Sequence, residues 1–332
     1  MKFESVDVGF DKLRDPTDYV RLALKAEKYG FGCFWLQEGG APTWWGPMTL
    51  AALILDKTET ISVGTGIVSP FKRHPETLAS ESVTLSQASK GRFVLGMGSG
   101  AESLAAFGVR TSQLTGMREA TDIVKRLLDG QSFEYKGEVF SYRQPRPLPM
   151  KMDYIPPVYL GAMGPKMIEV AYRFADGMVT SRRLGSCPEY LRWVYGIIEG
   201  LGGNGKRAFA VRSFVESSVD KDRSRAYHGI RHAIATHTIP RIPEYVLDKT
   251  GVEPKKMRAV LQAIRSGGSD LEALIDEDLV RHFSMSGTPE DCVEKLESLQ
   301  ATGLKTPILY FHGETPEKAL DMAGREILPL VT

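Results

Sequence analysis

The segment Gly91–Gly100, GRFVLGMGSG, decides between two folds for this chain. Three glycines follow its apolar run FVL at alternate positions: Gly96, Gly98 and Gly100. Together with Ala101 they match the dinucleotide-binding pattern G-x-G-x-x-G/A. That pattern belongs in the first strand–helix turn of a fold and needs an acidic residue about twenty residues later, at the tip of the next strand. Here the glycines follow the fourth strand-like segment, and Glu119 lies in a stretch with helical spacing, which favours a glycine-lined strand end.

The composition argues against two classes of partner. The chain has 332 residues, is 42% hydrophobic and 25% charged, and carries a formal net charge of +1. A molecule with so small a net charge has only a weak electrostatic attraction for polyanions, and we therefore expect no nucleic-acid partner. We find no run of about 18 apolar residues, so we expect no membrane span. The three scattered cysteines, Cys33, Cys187 and Cys292, form no C-x-x-C pair, which predicts a reduced, cytoplasmic protein without a structural metal.

Strand-like and helix-like segments alternate along the whole chain. The first pair is KFESVDV followed by DPTDYVRLALKAEKYG, in which Asp15 is the expected N-cap, Pro16 stands in the first turn and Gly30 ends the helix. Eight such pairs can be counted. Eight parallel strands in this length predict a closed (β/α)8 barrel, a single domain spanning residues 1–332.

Two segments depart from a bare barrel. FEYKGEVFSY (133–142) predicts a hairpin that turns at Lys136 and Gly137, within an insertion at about 131–150. A longer insertion at about 227–285, after strand 7, is expected to be helical and is rich in Arg and His. Its histidines His228, His232 and His237 lack a metal-binding pattern and are interpreted as lid or surface residues.

Small residues also stand where strand 5 is expected to end. In GAMGPKM (161–167), Pro165 suits the first turn of a helix. The free N–H groups at Met163 and Gly164, together with the helix dipole, would then form an anion site able to hold a phosphate. The alternative is that Gly161 and Gly164 only make a tight turn between the strand and the helix.

Three segments together carry a resemblance to a known family: GTGIVSPFKRHPE (64–76), PPVYLGAMGPKM (156–167) and FSMSGTPEDC (283–292). They resemble the bacterial luciferase-like superfamily, in which enzymes use a flavin or a deazaflavin. Within it, the chain is most similar to coenzyme F420-dependent reductases such as methylenetetrahydromethanopterin reductases and phthiodiolone ketoreductases. The resemblance covers nearly the whole chain and is weakest from Tyr227 to Met285.

The resemblance implies a barrel whose open end holds the cofactor ring. It implies a non-prolyl cis peptide bond between Gly66 and Ile67, at a bulge that supports the ring. Two further stretches match cofactor-binding segments of the family. The cofactor phosphate is expected at Gly161, Ala162, Met163 and Gly164, and the segment that flanks the ring is expected to include Gly98, Ser99 and Gly100.

Two acidic residues are the candidate proton donors. Glu38 directly follows the strand CFWL, at a position where many deazaflavin relatives have Asp-His. We expect Trp35, Trp44 and Trp45 to desolvate this carboxyl and raise its pKa, which suits a general acid. An N-cap or a solvated loop carboxylate is the alternative. Glu102 is the second candidate, one place after the acidic position common in the family, but it could also face solvent.

Aromatic and basic residues near strand ends are candidates for ligand binding. Trp44 and Trp45 could stack on a conjugated ligand or pack under the insertion. The basic side chains could hold an anionic cofactor tail or form a solvated edge. They follow strands 3 and 6: Lys72, Arg73, His74, Arg182 and Arg183.

The leading hypothesis is an oxidoreductase that transfers a hydride between coenzyme F420 and a small organic substrate with a carbonyl or methylene-pterin-like carbon. An FMN-dependent luciferase-like monooxygenase is the first alternative. A protein that binds flavin or deazaflavin without turnover is another, encouraged by the missing Asp-His. A cofactor-free lyase or isomerase would need a lysine or metal cluster at the strand ends, and none is apparent. The substrate partner is expected to be a small molecule, and the assembly a homodimer or homotetramer.

Overall fold

The computed structural model describes residues 2–11, 13–38, 45–100, 113–147, 152–202, 208–266, 271–312 and 315–332. Its strands are β1 (Asp7–Phe10), β2 (Cys33–Leu36), β3 (Ser62–Thr65), β4 (Phe93–Met97), β5 (Phe133–Lys136), β6 (Ser141–Gln144), β7 (Val158–Ala162), β8 (Gly177–Thr180), β9 (Ala210–Val219), β10 (Met285–Gly287) and β11 (Thr306–Phe311). Eight of them form a closed parallel barrel in the order β9, β11, β1, β2, β3, β4, β7, β8 and back to β9. The predicted (β/α)8 barrel is confirmed.

Helices follow the strands. They are α1 (Pro16–Tyr29), α2 (Pro47–Lys57), α3 (Pro75–Ala88), α4 (Gln113–Leu128), α5 (Pro165–Phe174), α6 (Pro188–Gly200), α7 (Arg223–Ala233), α8 (Pro254–Arg265), α9 (Glu277–Phe283), α10 (Pro289–Gln300), α11 (Pro316–Met322) and α12 (Leu328–Val331). Within the described residues, no helix is both long enough and apolar enough to cross a membrane.

Local sequence signals set the ends of several helices. At α1 the side chain of Asp15 accepts a hydrogen bond from the N–H of Thr17, and Gly30 ends the helix in the left-handed conformation with φ 89°. Both ends agree with the sequence prediction. At α10, Thr288 and Asp291 form a reciprocal capping box.

The barrel interior is filled by large side chains that alternate along the strands. The inward-facing cluster comprises Cys33, Trp35, Val94, Tyr159, Val179, Phe214, Ile308 and Tyr310. Below it, at the amino ends of the strands, the fully buried carboxylate of Asp7 pairs with Arg212 and accepts a hydrogen bond from Trp35 Nε1 at 2.8 Å. The buried carboxylate at this end of the barrel therefore has a cationic partner.

Two additions surround the barrel. Strands β5 and β6 pair antiparallel as a hairpin, and the carboxylate of Glu119 on α4 accepts hydrogen bonds from the N–H groups of Glu138, Val139 and Phe140. Between β9 and β11 the chain forms α7, α8, α9 and several short helical turns, and then β10. Strand β10 pairs parallel with β9 outside the barrel, and the sequence analysis did not predict it.

Candidate active site

The open end of the barrel, where the strands have their carboxyl ends, has two unlike halves. Because side chains alternate along a strand, the last inward positions on each strand line this opening. At the ends of β3, β4 and β7, or one residue beyond them, these positions are glycines: Gly66, Gly98 and Gly161. On the opposite side they are titratable groups: Glu216 near the end of β9, and His312 and Asp11 directly after β11 and β1.

The glycine half accommodates the side chain of Ile67. A Cβ atom at Gly98 would lie 2.6 Å from Ile67 Cγ1, and one at Gly161 would lie 3.1 Å from Ile67 Cγ2. These glycines therefore let the side chain of Ile67 approach the strands. The peptide bond between Gly66 and Ile67 is cis, which confirms the geometry that the resemblance implied.

Glu38 lies beside this bulge in surroundings different from those expected. Its side chain is 8% exposed and pairs with Arg73, while Lys72 Nζ lies 3.6 Å from its Oε2. That Oε2 also accepts a hydrogen bond from the N–H of Ser69 at 3.0 Å. Glu38 is therefore surrounded by two cations and a backbone donor, whereas a carboxyl desolvated by tryptophans was expected.

Two of the three tryptophans expected around Glu38 are described, and each has another position. Trp35 is 1% exposed and points into the barrel towards Asp7, because the third residue of β2 faces inward. Trp45 is 40% exposed, and its Nε1 donates to the carbonyl of Leu13 at 3.2 Å. Trp44 and Glu102 lie outside the described residues.

The basic segment after β3 serves local structure. Lys72 and Arg73 contact Glu38, and burial lowers the pKa of Lys72. The ring of His74 accepts a hydrogen bond from the N–H of Glu76 and so caps α3. These side chains already have protein partners, which weakens their case as ligands of an anionic tail.

The polar half of the opening is a cluster that the sequence analysis did not assign. The buried carboxylate of Glu216 pairs with His312 Nε2, and Arg182 Nε lies 3.9 Å from Glu216 Oε1. His312 Nδ1 in turn lies 3.7 Å from Asp11 Oδ2. A signal was present: Glu216 and His312 each stand two residues after an aromatic residue that faces the barrel interior, Phe214 and Tyr310.

Neighbouring basic groups keep the carboxylate of Glu216 charged despite its burial. Burial by itself would raise the pKa of Glu216, but His312 and Arg182 hold that pKa below its ordinary value. The guanidinium carbon of Arg182 stands 4.4 Å from the centre of the Tyr310 ring, a cation–π contact. Arg182, predicted as a ligand of the cofactor tail, is thus turned towards Glu216. The neighbouring Arg183 is half-buried, with its N–H 3.4 Å from Ser181 Oγ.

The remaining predicted cofactor residues lie at the ends of β4 and β7. The carbonyl of Ser99 accepts a hydrogen bond from the hydroxyl of Ser69 at 2.9 Å, and Gly100 has a φ of 62°. Ala162 is buried. The carbonyl of Met163 accepts a hydrogen bond from the hydroxyl of Tyr190 at 3.0 Å.

Helix α5 begins directly after β7. Gly164 is its N-cap, Pro165 follows as predicted, and among the described residues no side chain caps this end. A Cβ atom at Gly164 would lie 2.6 Å from the hydroxyl of Tyr245, so a residue of the long insertion covers this position. The helix end keeps its partial positive charge available to an anion.

Two histidines of the long insertion interact with acidic residues. His232 Nδ1 lies 3.1 Å from Glu272 on the surface. His237 contributes a positive potential that lowers the pKa of Glu216. In the part of the chain that the structure describes, no group of three or more His, Cys, Asp or Glu side chains could hold a metal ion.

Comparison with known proteins gives matches over the full length. The model of the luciferase-like monooxygenase family matches residues 5–306. The 5,10-methylenetetrahydromethanopterin reductase of Archaeoglobus fulgidus is 31% identical over 346 residues, which cover 99% of both chains. An F420-dependent glucose-6-phosphate dehydrogenase of Nakamurella multipartita is 26% identical and covers 95% of this chain and 92% of its own.

Solved structures show the same arrangement. The coenzyme F420-dependent tetrahydromethanopterin reductase from Methanopyrus kandleri superposes over 100% of both chains with a TM-score of 0.85 and 25% identity. An F420-dependent secondary alcohol dehydrogenase, solved with an F420–acetone adduct, has a TM-score of 0.81 at 20% identity and shares the fold. Since the family model and a full-length relative agree, the chain belongs to the luciferase-like monooxygenase family.

Proposed function

We propose that this protein is a coenzyme F420-dependent oxidoreductase that transfers a hydride between the deazaflavin and a small organic substrate, at a carbonyl or methylene-pterin-like carbon. The observation that carries the proposal is the 31% identity to a 5,10-methylenetetrahydromethanopterin reductase over 99% of both chains. Relatives with other substrates also use this coenzyme, including the glucose-6-phosphate dehydrogenase. The cofactor is therefore better supported than any one substrate.

The residues at the open end of the barrel fit a flat cofactor with an anionic tail. The inward positions at the carboxyl ends of β3, β4 and β7 are glycines, which leaves Ile67 as the apolar surface of that half. The uncapped start of α5 at Gly164 suits a phosphate. A bound deazaflavin supplies the carbon that gives or accepts the hydride. The chain contributes the surface against which that carbon is held and the groups that handle protons.

Glu38 takes a positioning role in this proposal. Its carboxylate holds the backbone N–H of Ser69, and its own N–H donates to the carbonyl of Ile67 at 3.3 Å. Both contacts fix the chain on either side of Ile67, where the ring is expected. Glu102 stays a prediction as an acid beside the ring.

The test is an anaerobic binding and turnover experiment with purified protein. We expect the protein to bind coenzyme F420 more tightly than FMN and the reduced coenzyme to be oxidised by at least one acceptor from a panel of ketones, aldehydes and a methylene-tetrahydropterin. Oxygen-dependent product formation with reduced FMN would instead support a monooxygenase. Binding without turnover across the panel would support a carrier of the coenzyme.

We also propose that the enzyme works in the cytoplasm as a homodimer or homotetramer. All three cysteines are buried and free, which suits a reducing compartment.

Exposed apolar side chains support the proposed assembly. Leu24 on α1 and Leu53 on α2 are 43% and 48% exposed, and these helices pack side by side. Light scattering tests the assembly: a monomeric mass at micromolar concentration would contradict it.

A further inference from the structure

We propose that His312 supplies and removes the proton that accompanies hydride transfer. Glu216 is its positioning residue, and Asp11 lies on the side of His312 that is closer to the barrel opening. This inference rests on the proposed function, because it assigns an acid–base group to the same barrel opening. It concerns the polar half of that opening, which faces the glycine half across the barrel axis.

The topology brings these three side chains together. Strands β9, β11 and β1 are neighbours in the barrel. Glu216 lies near the carboxyl end of β9, and His312 and Asp11 directly follow β11 and β1. Glu216 is paired in register with Tyr310, two residues before His312. Exposure rises along the row, from 3% at the side chain of Glu216 and 6% at His312 to 27% at Asp11. The row therefore runs from the buried wall towards the opening.

The hydrogen bond to Glu216 determines which nitrogen of His312 exchanges a proton. Glu216 is ionised at neutral pH, since its pKa lies below the ordinary value. A carboxylate only accepts hydrogen bonds, so Nε2 of His312 must carry a hydrogen. The nitrogen left to gain or lose a proton is Nδ1. It lies 3.7 Å from Asp11 Oδ2, which is too long for a hydrogen bond.

The proposed step balances in atoms and electrons. In the reduction of a carbonyl, a bound reduced deazaflavin would supply the hydride: one of its C–H bonds would break, the coenzyme would be oxidised by two electrons, and a new C–H bond would form at the carbonyl carbon. The π electron pair of the C=O bond moves to oxygen. The Nδ1–H bond of His312 breaks as the O–H bond of the alcohol forms, which leaves a neutral imidazole held by Glu216. In the reverse direction Nδ1 accepts the proton.

The surroundings of His312 supply charges of both signs. Glu216 and Asp11 are the acidic groups that face it, and Arg182 and His237 are the basic groups that act on Glu216. The Tyr310 ring packs against the imidazole with 5.4 Å between ring centres. A purely structural ion pair between β9 and β11 would explain the contact of Nε2 with Glu216. It would give no role to Nδ1, and this difference can be measured.

The first experiment is the variant His312→Gln, whose side-chain N–H can still donate to Glu216 but cannot exchange a proton. We expect kcat to fall roughly 10²- to 10⁴-fold. The dissociation constant of coenzyme F420 should change less than twofold. His228→Gln, on the exposed face of α7, is the matched control and should retain the parent rate. Glu216→Gln should lower kcat as well, because an amide no longer requires Nε2 to carry the hydrogen.

The second experiment is independent of turnover. In cofactor-free protein labelled with 15N-histidine, the spectrum of His312 is identified by its loss in His312→Gln. We expect the neutral form to carry its hydrogen on Nε2 and the Nδ1 resonance to shift with pH. A parent-like rate in His312→Gln would overturn the inference and leave the proposed function intact. If the parent enzyme shows no turnover, the proposed function fails, and a neutral tautomer with the hydrogen on Nδ1 would overturn the inference separately.

Discussion

The carboxylate of Glu38 accepts a hydrogen bond from the backbone N–H of Ser69, with 3.0 Å between the oxygen and the nitrogen. The hydroxyl of Ser69 donates to the carbonyl of Ser99 at 2.9 Å. One side chain at the end of β2 is thereby connected to the backbone that follows β3, and through it to the segment that follows β4. These three strand ends border the half of the opening in which Ile67 lies.

Replacing Glu38 by Gln should loosen this arrangement. The amide retains the shape but loses the charge that pairs with Arg73 and Lys72. We expect the free energy of unfolding to fall by about 1–3 kcal/mol, measured by urea titration, and the affinity for coenzyme F420 to fall as well. Glu294→Gln on the exposed side of α10 is the control. Unchanged stability together with a large loss of kcat would instead restore Glu38 as a proton donor.

Replacing Arg212, at the amino ends of the barrel strands, should make the free energy of unfolding depend on pH. Burial raises the pKa of Asp7 above its ordinary value of 3.8, and Arg212 opposes that rise. In Arg212→Met the opposition is lost, so the folded protein keeps a proton that the unfolded chain has already released. The free energy of unfolding should then fall as pH rises from about 4 towards 7, and at pH 7 by about 3–5 kcal/mol relative to the parent.

The double variant Asp7→Asn/Arg212→Met serves as the control for this effect. Without the carboxyl, the decline between pH 4 and 7 should disappear. Equal pH profiles for the single and double variants would show that Asp7 does not carry the effect.

Glu119 should stabilise the hairpin of β5 and β6 from outside it. Burial would raise the pKa of this carboxyl, but three backbone N–H groups hold it below the ordinary value of 4.5. Its contribution is therefore present above pH 4.5 and is lost as pH falls through the lower, folded-state pKa. Glu119→Ala should cost about 2 kcal/mol and speed hydrogen exchange at the amides of Glu138, Val139 and Phe140. Glu134→Ala, exposed on β5, should leave those exchange rates unchanged.

Gly98 should be intolerant of any side chain because Ile67 occupies the space. In Gly98→Ala the new methyl group would meet Ile67 Cγ1 at 2.6 Å. We expect the side chain of Ile67 to be displaced and the affinity for coenzyme F420, measured by fluorescence titration, to fall roughly tenfold, equivalent to about 1.4 kcal/mol. Gly196→Ala, with nothing within 4 Å of the new methyl, is the control and should retain affinity. The free energy of unfolding should also fall in Gly98→Ala, and it should be partly recovered when Ile67→Ala removes the overlapping Cγ1 and Cδ1 atoms.

Much of the fold could be predicted because it depends on local signals. The alternation of strand-like and helix-like segments predicts the barrel, and Asp15 and Gly30 mark the ends of α1, where the structure places them. The interpretation of Glu119 as a helical residue is confirmed by α4. Strand β10 was missed because three residues carry no periodicity of their own and form a strand only against β9.

The candidate site was predictable only in part. Period-two alternation and the position of strand ends indicate which residues reach the opening, and the resemblance pointed to the cis bond at Gly66 and Ile67. The partners of a charged side chain could not be predicted in this way. Glu38 contacts Arg73, 35 residues later, and Glu216 contacts His312, 96 residues later, and no local pattern encodes either pair.

The sequence by itself therefore determined the number and order of the barrel strands, the ends of helices and the glycines at the strand ends, because each depends on the conformational preference of a few consecutive residues. Only the tertiary structure decided that Glu38 is an ion-paired carboxylate and that Glu216, His312 and Asp11 form one row. Closing the barrel brings distant strands into register, and the burial and charge that set protonation arise from neighbours that are distant in sequence.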